Sequence, residues 1–226
     1  MSVNAASVSG FQFLRQCMDE KPDVLTRAIK NAMNAGGVVW KERANSGDKE
    51  TMEGRWSNLD FLGHGKARSA WQDYWPQNRC RFSWDAIGRV QIGKVGWEWL
   101  LVSAFAHQGE LEQNGNPLLD EADERVLSAL AEGELKYNVD SDIDWINDHF
   151  YLSTRLSTLA FLRKCGICVR MLSVYFYDEK KGMDHLFPSL NQWDTAIATT
   201  EQELGLRGKS VLERRIYRIF LPARWN

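Results

Sequence analysis

The part of this sequence that could perform chemistry consists of one acidic residue and two apolar segments. Asp85 stands near the start of residues 84–92, which are rich in β-branched and aromatic side chains and therefore predict a strand. Residues 97–106 predict a second strand, and 93–96 a tight turn between the two. A carboxylate at the open end of such a hairpin is a candidate ligand for a divalent cation that activates water.

The length of the hairpin loop decides which side chains stand beside Asp85. Side chains alternate between the two faces of a strand, so Ser103 and Phe105 share one face. A three-residue loop, 93–95, places Asp85 directly opposite Ser103, whereas a two-residue loop turns every side chain of one strand to the other face. The three-residue register therefore puts an acid beside positions 103 and 105, where a nuclease would keep a metal site.

The hairpin resembles the active-site region of a known superfamily. An acid on one strand and a second strand that ends in Glu-X-Lys are typical of the PD-(D/E)XK restriction-endonuclease-like superfamily. The surroundings resemble a bacterial branch whose members have approximately WDA(I/L)GR … EWLLVEAKAHxGEL here. Asp85 matches the acid and residues 98–102 match the strand. The tail is matched by His107, Gly109, Glu110 and Leu111. Two further segments, 153–176 and 214–222, extend the resemblance to about two thirds of the chain.

Two positions depart from the family pattern. Ser103 stands where the family has Glu, and Phe105 stands where it has Lys. In the family, the Asp and the Glu hold a divalent cation and the Lys helps to orient the attacking water. A serine hydroxyl is a poor ligand for a hard cation, and a phenyl ring neither ligates nor donates. The resemblance therefore implies a degenerate site, and we expect no cofactor, or Mg²⁺ or Mn²⁺ if the protein is active.

Three side chains near the hairpin leave a second interpretation open. Glu110 and His107 follow the second strand and can fold back towards Asp85, which would give a metal site of nitrogen and oxygen ligands. In an active enzyme Asp85 and Glu110 would hold the metal. In the structural alternative, which we prefer, Asp85 bonds a turn, His107 is a surface or satisfied histidine, and Glu110 caps a loop. Glu98 lies on the strand face opposite Ser103.

Composition and charge are those of an ordinary globular protein without a global attraction to nucleic acid. The 226 residues are 44% hydrophobic and 26% charged, with a net charge of −2. Acidic side chains are concentrated in 120–148 and basic ones near the C-terminus. The candidate nucleic-acid-binding residues of the basic stretch are Arg207, Lys209, Arg214 and Arg215. Such runs are usually solvated surface, but this one leaves room for a phosphate-binding patch or a protein contact.

Cysteine spacing and the absence of targeting signals bear on location. Cys165 and Cys168 have CxxC spacing without a second pair, so they predict small buried thiols in preference to a zinc site. The sequence contains no signal peptide and no apolar run of membrane-spanning length. We therefore expect a cytoplasmic protein without a membrane partner.

The predicted elements form one nuclease-like α/β domain, with a mixed central β-sheet flanked by helices and a helical N-terminal part. Residues 1–56 are expected to be the helical segment and a loop, and 57–226 the core. The predicted strands are 38–40, 84–92, 97–106, 168–177 and 213–221. The predicted helices are 11–18, 23–35, 57–75, 118–135, 142–164 and 190–204, with an exposed loop at 41–55.

Three functions follow from these observations. The first is a catalytically degenerate nuclease-like protein that binds nucleic acid or a partner protein, and the family association suggests a prokaryotic defence or mobile-element system. The second is an active metal-dependent nuclease with a relocated site on Asp85, His107 and Glu110. The third is an interaction protein without affinity for nucleic acid. No Walker loop, HExxH or Gly-X-Ser-X-Gly motif is present, so ATPase, zincin and α/β-hydrolase functions have little support.

Overall fold

The fold is known from a computed structural model. It describes residues 9–41, 56–57, 59–63, 65–76, 83–94, 96–111, 124–140, 142–145, 149–179, 187–208 and 210–224. Within these residues a five-stranded mixed sheet is flanked by helices on both faces, and a two-stranded sheet lies beside it. The predicted α/β class with a mixed central sheet is therefore confirmed.

The main sheet has the strand order β1-β4-β5-β6-β7. These strands are β1 Ala35–Trp40, β4 Ala86–Ile92, β5 Gly96–Phe105, β6 Val169–Tyr177 and β7 Ile216–Pro222. The first three are antiparallel neighbours, whereas β5, β6 and β7 run parallel. The small sheet pairs β2 (Trp56–Ser57) with β3 (Ser83–Trp84). Parallel neighbours require crossover connections, and helices provide them here.

In the described part of the chain, six α-helices cover the two faces of the main sheet. They are α1 Gly10–Glu20, α2 Pro22–Met33, α3 Gly65–Tyr74, α4 Glu124–Tyr137, α5 Phe150–Lys164 and α6 Leu190–Glu203. Helices α1 and α2 pack on one face with the even-numbered side chains of β5, whereas α3 to α6 pack on the other face with the odd-numbered ones. None of the helices in the described part of the chain is long and apolar enough to cross a membrane.

Most of the central strand β5 and of the helix α5 is buried. The last six residues of β5 are buried because both faces of the sheet are covered, which explains its nearly continuous apolar sequence. Helix α5 lies between the sheet and α4, and Leu152 to Leu162 are buried although several of them are polar. Ser153 and Thr158 donate their hydroxyls to the carbonyls of His149 and Thr154, one turn earlier. These bonds satisfy polar groups that would otherwise be costly in the core.

Two of the predicted helices differ from the structure. Ser57 was expected to begin a helix over 57–75, but it lies in β2, and α3 begins only at Gly65. The pairing of Trp56 with Trp84 and the positive φ of Gly63 (64°) interrupt any helix across this segment. The helix predicted over 142–164 begins at Phe150, because residues 142–145 form a turn. Residues 42–55 of the predicted loop and 118–123 of the predicted fourth helix lie outside the described residues.

Candidate functional site

The hairpin of β4 and β5 has the register in which Asp85 lies beside Ser103. Ile92 pairs with Gly96 and Ala86 with Val102, so the loop contains three residues, one of the two lengths that the sequence left open. The backbone N–H of Asp85, at the junction of β3 and β4, donates to the carbonyl of Val102 at 2.9 Å. Asp85 therefore lies beside Ser103 on the adjoining strand.

The Asp85 carboxylate binds a backbone amide at the open end of the hairpin. Its Oδ2 accepts a hydrogen bond from the backbone N–H of Ala104 at 2.7 Å, and the residue is 4% exposed. Asp85 lies in a bend between β3 and β4, just beyond the last residue pair of the β4–β5 ladder. The side chain thus supplies the acceptor that a buried backbone amide requires. The acid therefore bonds an amide of strand β5, whereas the structural role expected from the sequence was a bond to a turn.

The two positions that depart from the family motif lie in the core. Ser103 and Phe105 are each 1% exposed. Among the described residues the Ser103 hydroxyl has no hydrogen-bond partner. The Phe105 ring stacks on Tyr175 with 5.2 Å between ring centroids, and Tyr175 stacks on Phe220 at 5.4 Å. Position 105 therefore belongs to an aromatic row across β5, β6 and β7, a setting that disfavours any charged group.

Glu110 joins the end of β5 to the beginning of α1. One carboxylate oxygen accepts the backbone N–H of Gly10 at 3.0 Å. The other accepts the backbone N–H groups of Ala106 and His107, the latter at 3.1 Å. Both oxygens are thus engaged by backbone amides, and the negative charge lies at a helix N-terminus, where it is favourable. These bonds fit the loop-capping role expected for Glu110.

The structure does not bring Asp85, His107 and Glu110 together as a set of metal ligands. The His107 ring lies nearly parallel to the Phe187 ring, with 6.0 Å between centroids. The two carboxylates accept hydrogen bonds from different backbone amides. In the part of the chain that the structure describes, no group of three or more His, Cys, Asp and Glu side chains is arranged to hold a metal ion.

Two of the four candidate nucleic-acid-binding residues are paired with acids of the same chain. Arg207 pairs with Asp140 at the surface. Arg215 pairs with Glu98 at 2.8 Å. Arg214 is exposed, and Lys209 lies outside the described residues. The basic stretch therefore has less uncompensated charge than its sequence indicates.

Glu98 is the centre of an ion-pair network on the face opposite Ser103. Its Oε2 contacts both Arg170 and Arg215 at 2.8 Å, and all three side chains are largely buried, at 12–21% exposure. This placement matches the strand alternation expected for Glu98. The network links β5 and β6 to the turn before β7.

A polar row that the sequence did not indicate crosses the sheet from the buried Ser103 to the exposed Arg218. Ser103 is the register partner of Ser173 on β6, which is in turn the partner of Arg218 on β7. Arg218 forms an ion pair with Glu201 on α6. An arginine at the centre of an otherwise apolar strand was the available signal, but its neighbours depend on a parallel pairing between distant segments.

Arg155 is a buried arginine whose role the sequence did not indicate. It is fully buried in α5, and its Nη2 donates to the carbonyl of Ser83 at 3.0 Å. Its guanidinium lies 5.5 Å from the Trp84 ring centroid. A lone arginine within an apolar helix was the signal. The contacts place it behind the junction that carries Asp85, as a positioning residue for β3.

The expectation of buried thiols at the CxxC pair is wrong. Cys165 and Cys168 are both exposed. They flank a turn between α5 and β6 in which Gly166 has a φ of 75°, and this turn projects from the packed layers. Among the described cysteines it is Cys17, in α1, that is buried, and desolvation raises its pKa to about 11.

A scan against models of known protein families, a search of curated proteins and a search of solved structures each gave no match for this chain.

Proposed function

We propose that the protein is a catalytically degenerate PD-(D/E)XK-like pseudoenzyme that acts by binding a partner and does not hydrolyse phosphodiesters. The observation that carries the proposal is the burial of Ser103 and Phe105, each 1% exposed, at the positions of the family's Glu and Lys. A carboxylate and an ammonium group are needed there for metal-dependent hydrolysis. A hydroxyl and a phenyl ring within a closed core supply neither.

The surroundings of these two positions support the proposal. The mixed sheet, the three-residue hairpin loop and the acid beside Ser103 fit the framework that the family resemblance implies. The carboxylates of Asp85 and Glu110 are bonded to backbone amides. Asp85 thus stabilises the hairpin, and Glu110 stabilises the junction of the hairpin with α1. An active site relocated onto Asp85, His107 and Glu110 would require those bonds to be exchanged for metal ligation.

A protein partner is a better fit than nucleic acid. Arg207, Arg215, Arg218 and Arg224 pair with Asp140, Glu98, Glu201 and Asp178 respectively. Binding to phosphates depends on basic side chains that displace the counterions condensed on the nucleic acid. Arginines that are already paired with acids of the same chain contribute less to the binding of phosphates. In a prokaryotic defence or mobile-element system, the setting that the family association suggests, the protein would act as a non-hydrolytic subunit.

Cleavage assays test the absence of catalysis. Purified protein is incubated with single- and double-stranded DNA and RNA in the presence of Mg²⁺ or Mn²⁺. We expect no metal-dependent cleavage. We also expect no metal-induced rise in melting temperature, since only an ion that binds the folded state would stabilise it. Asp85→Asn is the matched variant, since it keeps an oxygen acceptor for Ala104 but removes the charge. Cleavage that Asp85→Asn abolishes would refute the proposal.

A binding titration at several salt concentrations separates a protein partner from nucleic acid. We expect weak binding to labelled DNA and RNA with a shallow dependence on salt, since four arginines near the C-terminus are already paired with acids of the chain. A steep salt slope that Arg214→Gln reduces would instead favour nucleic acid as the partner.

A further inference from the structure

Two exposed cysteines lie in the turn that joins α5 to β6. Cys165 is the residue at which α5 ends, and Cys168 directly precedes β6, so two residues separate them. Both side chains are exposed and both thiols are free. A thiol at the surface of a protein can exchange with a small disulfide when its thiolate is stabilised. The proposed function makes no use of this pair.

The turn between the cysteines folds the chain back over the end of α5. The backbone N–H of Gly166 donates to the carbonyl of Arg163 at 3.0 Å, and the N–H of Ile167 donates to that of Leu162 at 2.9 Å. Gly166 has a φ of 75°, and a Cβ atom there would meet nothing within 4 Å, so the turn has open space around it. A disulfide requires Cα atoms within about 7 Å of each other. A reversing turn with space around its glycine can bring the two cysteines to that separation.

A positive side chain lies against one of the two sulfurs. Nη1 of Arg163 is 3.6 Å from Sγ of Cys168, and the same nitrogen donates to the carbonyl of Ile167 at 3.4 Å. The guanidinium is thus held over the turn by a backbone contact. A thiolate is the reactive form of cysteine, and a neighbouring cation stabilises its negative charge. Cys168 is therefore the thiol that should react first.

Cys165 has different surroundings. The pKa of its thiol is raised above the ordinary value of 9.0, chiefly by desolvation, while the charge of Lys164 lowers it and that of Glu132 raises it. Lys164 and Glu132 also form an ion pair with each other at 2.9 Å. The carbonyl end of a helix carries partial negative charge, which further disfavours a thiolate there. Cys165 is therefore suited to the second step of an exchange, after Cys168 has reacted.

We propose that Cys165 and Cys168 form a reversible disulfide by exchange with low-molecular-weight disulfides. The Cys168 thiolate attacks one sulfur of the small disulfide, whose S–S bond breaks and releases a thiolate. Sγ of Cys165 then attacks Sγ of Cys168, the mixed S–S bond breaks, and a second thiolate leaves. The two cysteine protons pass to the released thiolates, so the protein is oxidised and the small disulfide is reduced to two thiols. The inference does not depend on the proposed function, because this turn precedes β6, whereas Ser103 and Phe105 lie near the end of β5.

Mass spectrometry after oxidation of the full chain tests the proposal. The protein is incubated with bis(2-hydroxyethyl) disulfide, the remaining thiols are alkylated in denaturant, and trypsin releases residues 165–170 as one peptide. We expect this peptide to have lost both thiol hydrogens and to carry no alkyl group, and dithiothreitol should restore alkylation at both cysteines. A peptide that stays fully alkylated, or that carries the reagent without ever forming the internal disulfide, would overturn the proposal.

Two single variants separate the steps of the exchange. Cys165→Ser should accumulate the mixed disulfide at Cys168, because the second step has lost its nucleophile. Cys168→Ser should react at Cys165 about fivefold more slowly, since that thiol has no arginine against its sulfur. Equal rates of mixed-disulfide formation in the two variants would contradict the assignment of Cys168 as the first nucleophile.

Arg163→Gln, combined with Cys165→Ser, tests the role of the guanidinium. It should slow formation of the mixed disulfide about threefold at neutral pH, the size of effect expected of one exposed charge contact. Arg27→Gln in the same background is the matched control, since Arg27 is an exposed arginine on α2, and the rate should be unchanged. The reagent is neutral, so general attraction of a charged reagent cannot produce the difference. No slowing by Arg163→Gln, or equal slowing by both variants, would refute this role.

Discussion

Asp85 and Ser103 are neighbours across the hairpin, and both are buried. One oxygen of the Asp85 carboxylate, Oδ2, accepts the backbone N–H of Ala104. The Ser103 hydroxyl is buried without a partner among the described residues. A satisfied buried group stabilises a fold modestly, whereas an unsatisfied one carries the full cost of its desolvation. The two residues should therefore respond differently to truncation.

Replacement of Ser103 by alanine should leave stability unchanged or raise it. The substitution removes a hydroxyl that is desolvated without a hydrogen bond, so we expect the free energy of unfolding to rise by up to about 1 kcal/mol. Urea denaturation of Ser103→Ala beside the unmodified protein measures the change. A loss of more than about 1 kcal/mol would mean that the hydroxyl makes a stabilising contact in solution.

Truncation of Asp85 should be costly. Asp85→Ala leaves the Ala104 amide buried without its acceptor, and we expect a loss of about 1–3 kcal/mol in the free energy of unfolding. Asp85→Asn retains an acceptor oxygen of similar geometry and should lose less. The same denaturation series measures both, and equal losses would show that the negative charge, rather than the acceptor, is what stabilises the hairpin.

The start of α1 is fixed by its close approach to β5. A Cβ atom on Gly10 would lie 2.3 Å from the carbonyl carbon of Ala104 and 2.4 Å from the backbone nitrogen of Phe105. These are backbone atoms within the central strand, so they cannot move aside as a flexible side chain does. Together with the bond from Gly10 to Glu110, this contact holds α1 on the end of the hairpin.

Gly10→Ala should therefore separate α1 from the sheet or strain both. Overpacking in a closed core costs about 1–3 kcal/mol, and we expect a loss at or above the upper end of that range, since backbone atoms oppose the methyl group. Thermal or chemical denaturation measures it. Gly109→Ala is the control, because a Cβ atom there meets nothing within 4 Å. Equal effects of the two substitutions would contradict the close-approach explanation.

Glu110 joins three backbone amides from two elements, so its removal should loosen the junction of α1 and β5. Glu110→Ala should lower the free energy of unfolding by about 2–3 kcal/mol, because several amides lose a charged acceptor at once. Faster hydrogen exchange at Gly10 and His107 should accompany the loss. Glu20→Ala, which removes an exposed acid from the other end of α1, should change stability by less than about 0.5 kcal/mol. Unchanged exchange at both amides would exclude the capping role.

At the scale of the whole molecule, both covered faces of the sheet bury groups that ionise at alkaline pH. Burial raises the pKa of Tyr175 and Tyr137 above the ordinary value of 10.0 for a phenol. It raises the pKa of the Cys17 thiol from 9.0 to about 11. Desolvation disfavours the charged form in each case. The folded protein thus holds these protons to a higher pH than the unfolded chain does.

Stability should fall in alkaline solution for this reason. The contribution of each group is complete below its unfolded pKa and is lost as the pH rises through its folded pKa, because only the unfolded chain releases the proton in that interval. The loss should begin above pH 9.0, with Cys17, and steepen above pH 10.0, as the tyrosines join. Urea denaturation from pH 8 upwards measures the profile.

Cys17→Ala gives the control for the alkaline profile. The variant has no thiol to ionise, so its stability should change less between pH 9.0 and about 11 than that of the unmodified protein, whatever its absolute stability. A profile of identical shape in both proteins would show that the thiol makes no contribution. Stability that stays constant beyond pH 10.0 would contradict the burial of the phenols.

The elements of the hairpin could be predicted because short-range patterns specify them. The apolar alternation of β4 and β5 and the glycines between them limited the pairing to two registers, and the three-residue loop proved to be the one adopted. Strands β6 and β7 and helices α1, α2 and α6 were likewise predicted with only small differences at their ends. Each depends on the spacing of side chains within one segment.

The errors occurred where distant segments decide the local structure. Ser57 carries a good helix-cap side chain, but the pairing of Trp56 with Trp84 draws it into a strand. Cys165 and Cys168 lie where a helix ends and a strand begins, which predicted buried thiols, but the turn at Gly166 places them at the surface. Local preference is a weak determinant, and tertiary contacts overrode it at both positions.

The sequence by itself determined the α/β class and the hairpin with its acid, and it placed Ser103 and Phe105 on one face of the second strand. Only the tertiary structure decided that these positions are buried, that Arg215 is paired with Glu98, and that Ser103, Ser173 and Arg218 form one row across the sheet. The reason is that side-chain periodicity acts within a segment, whereas parallel pairing joins residues many positions apart that no local pattern relates.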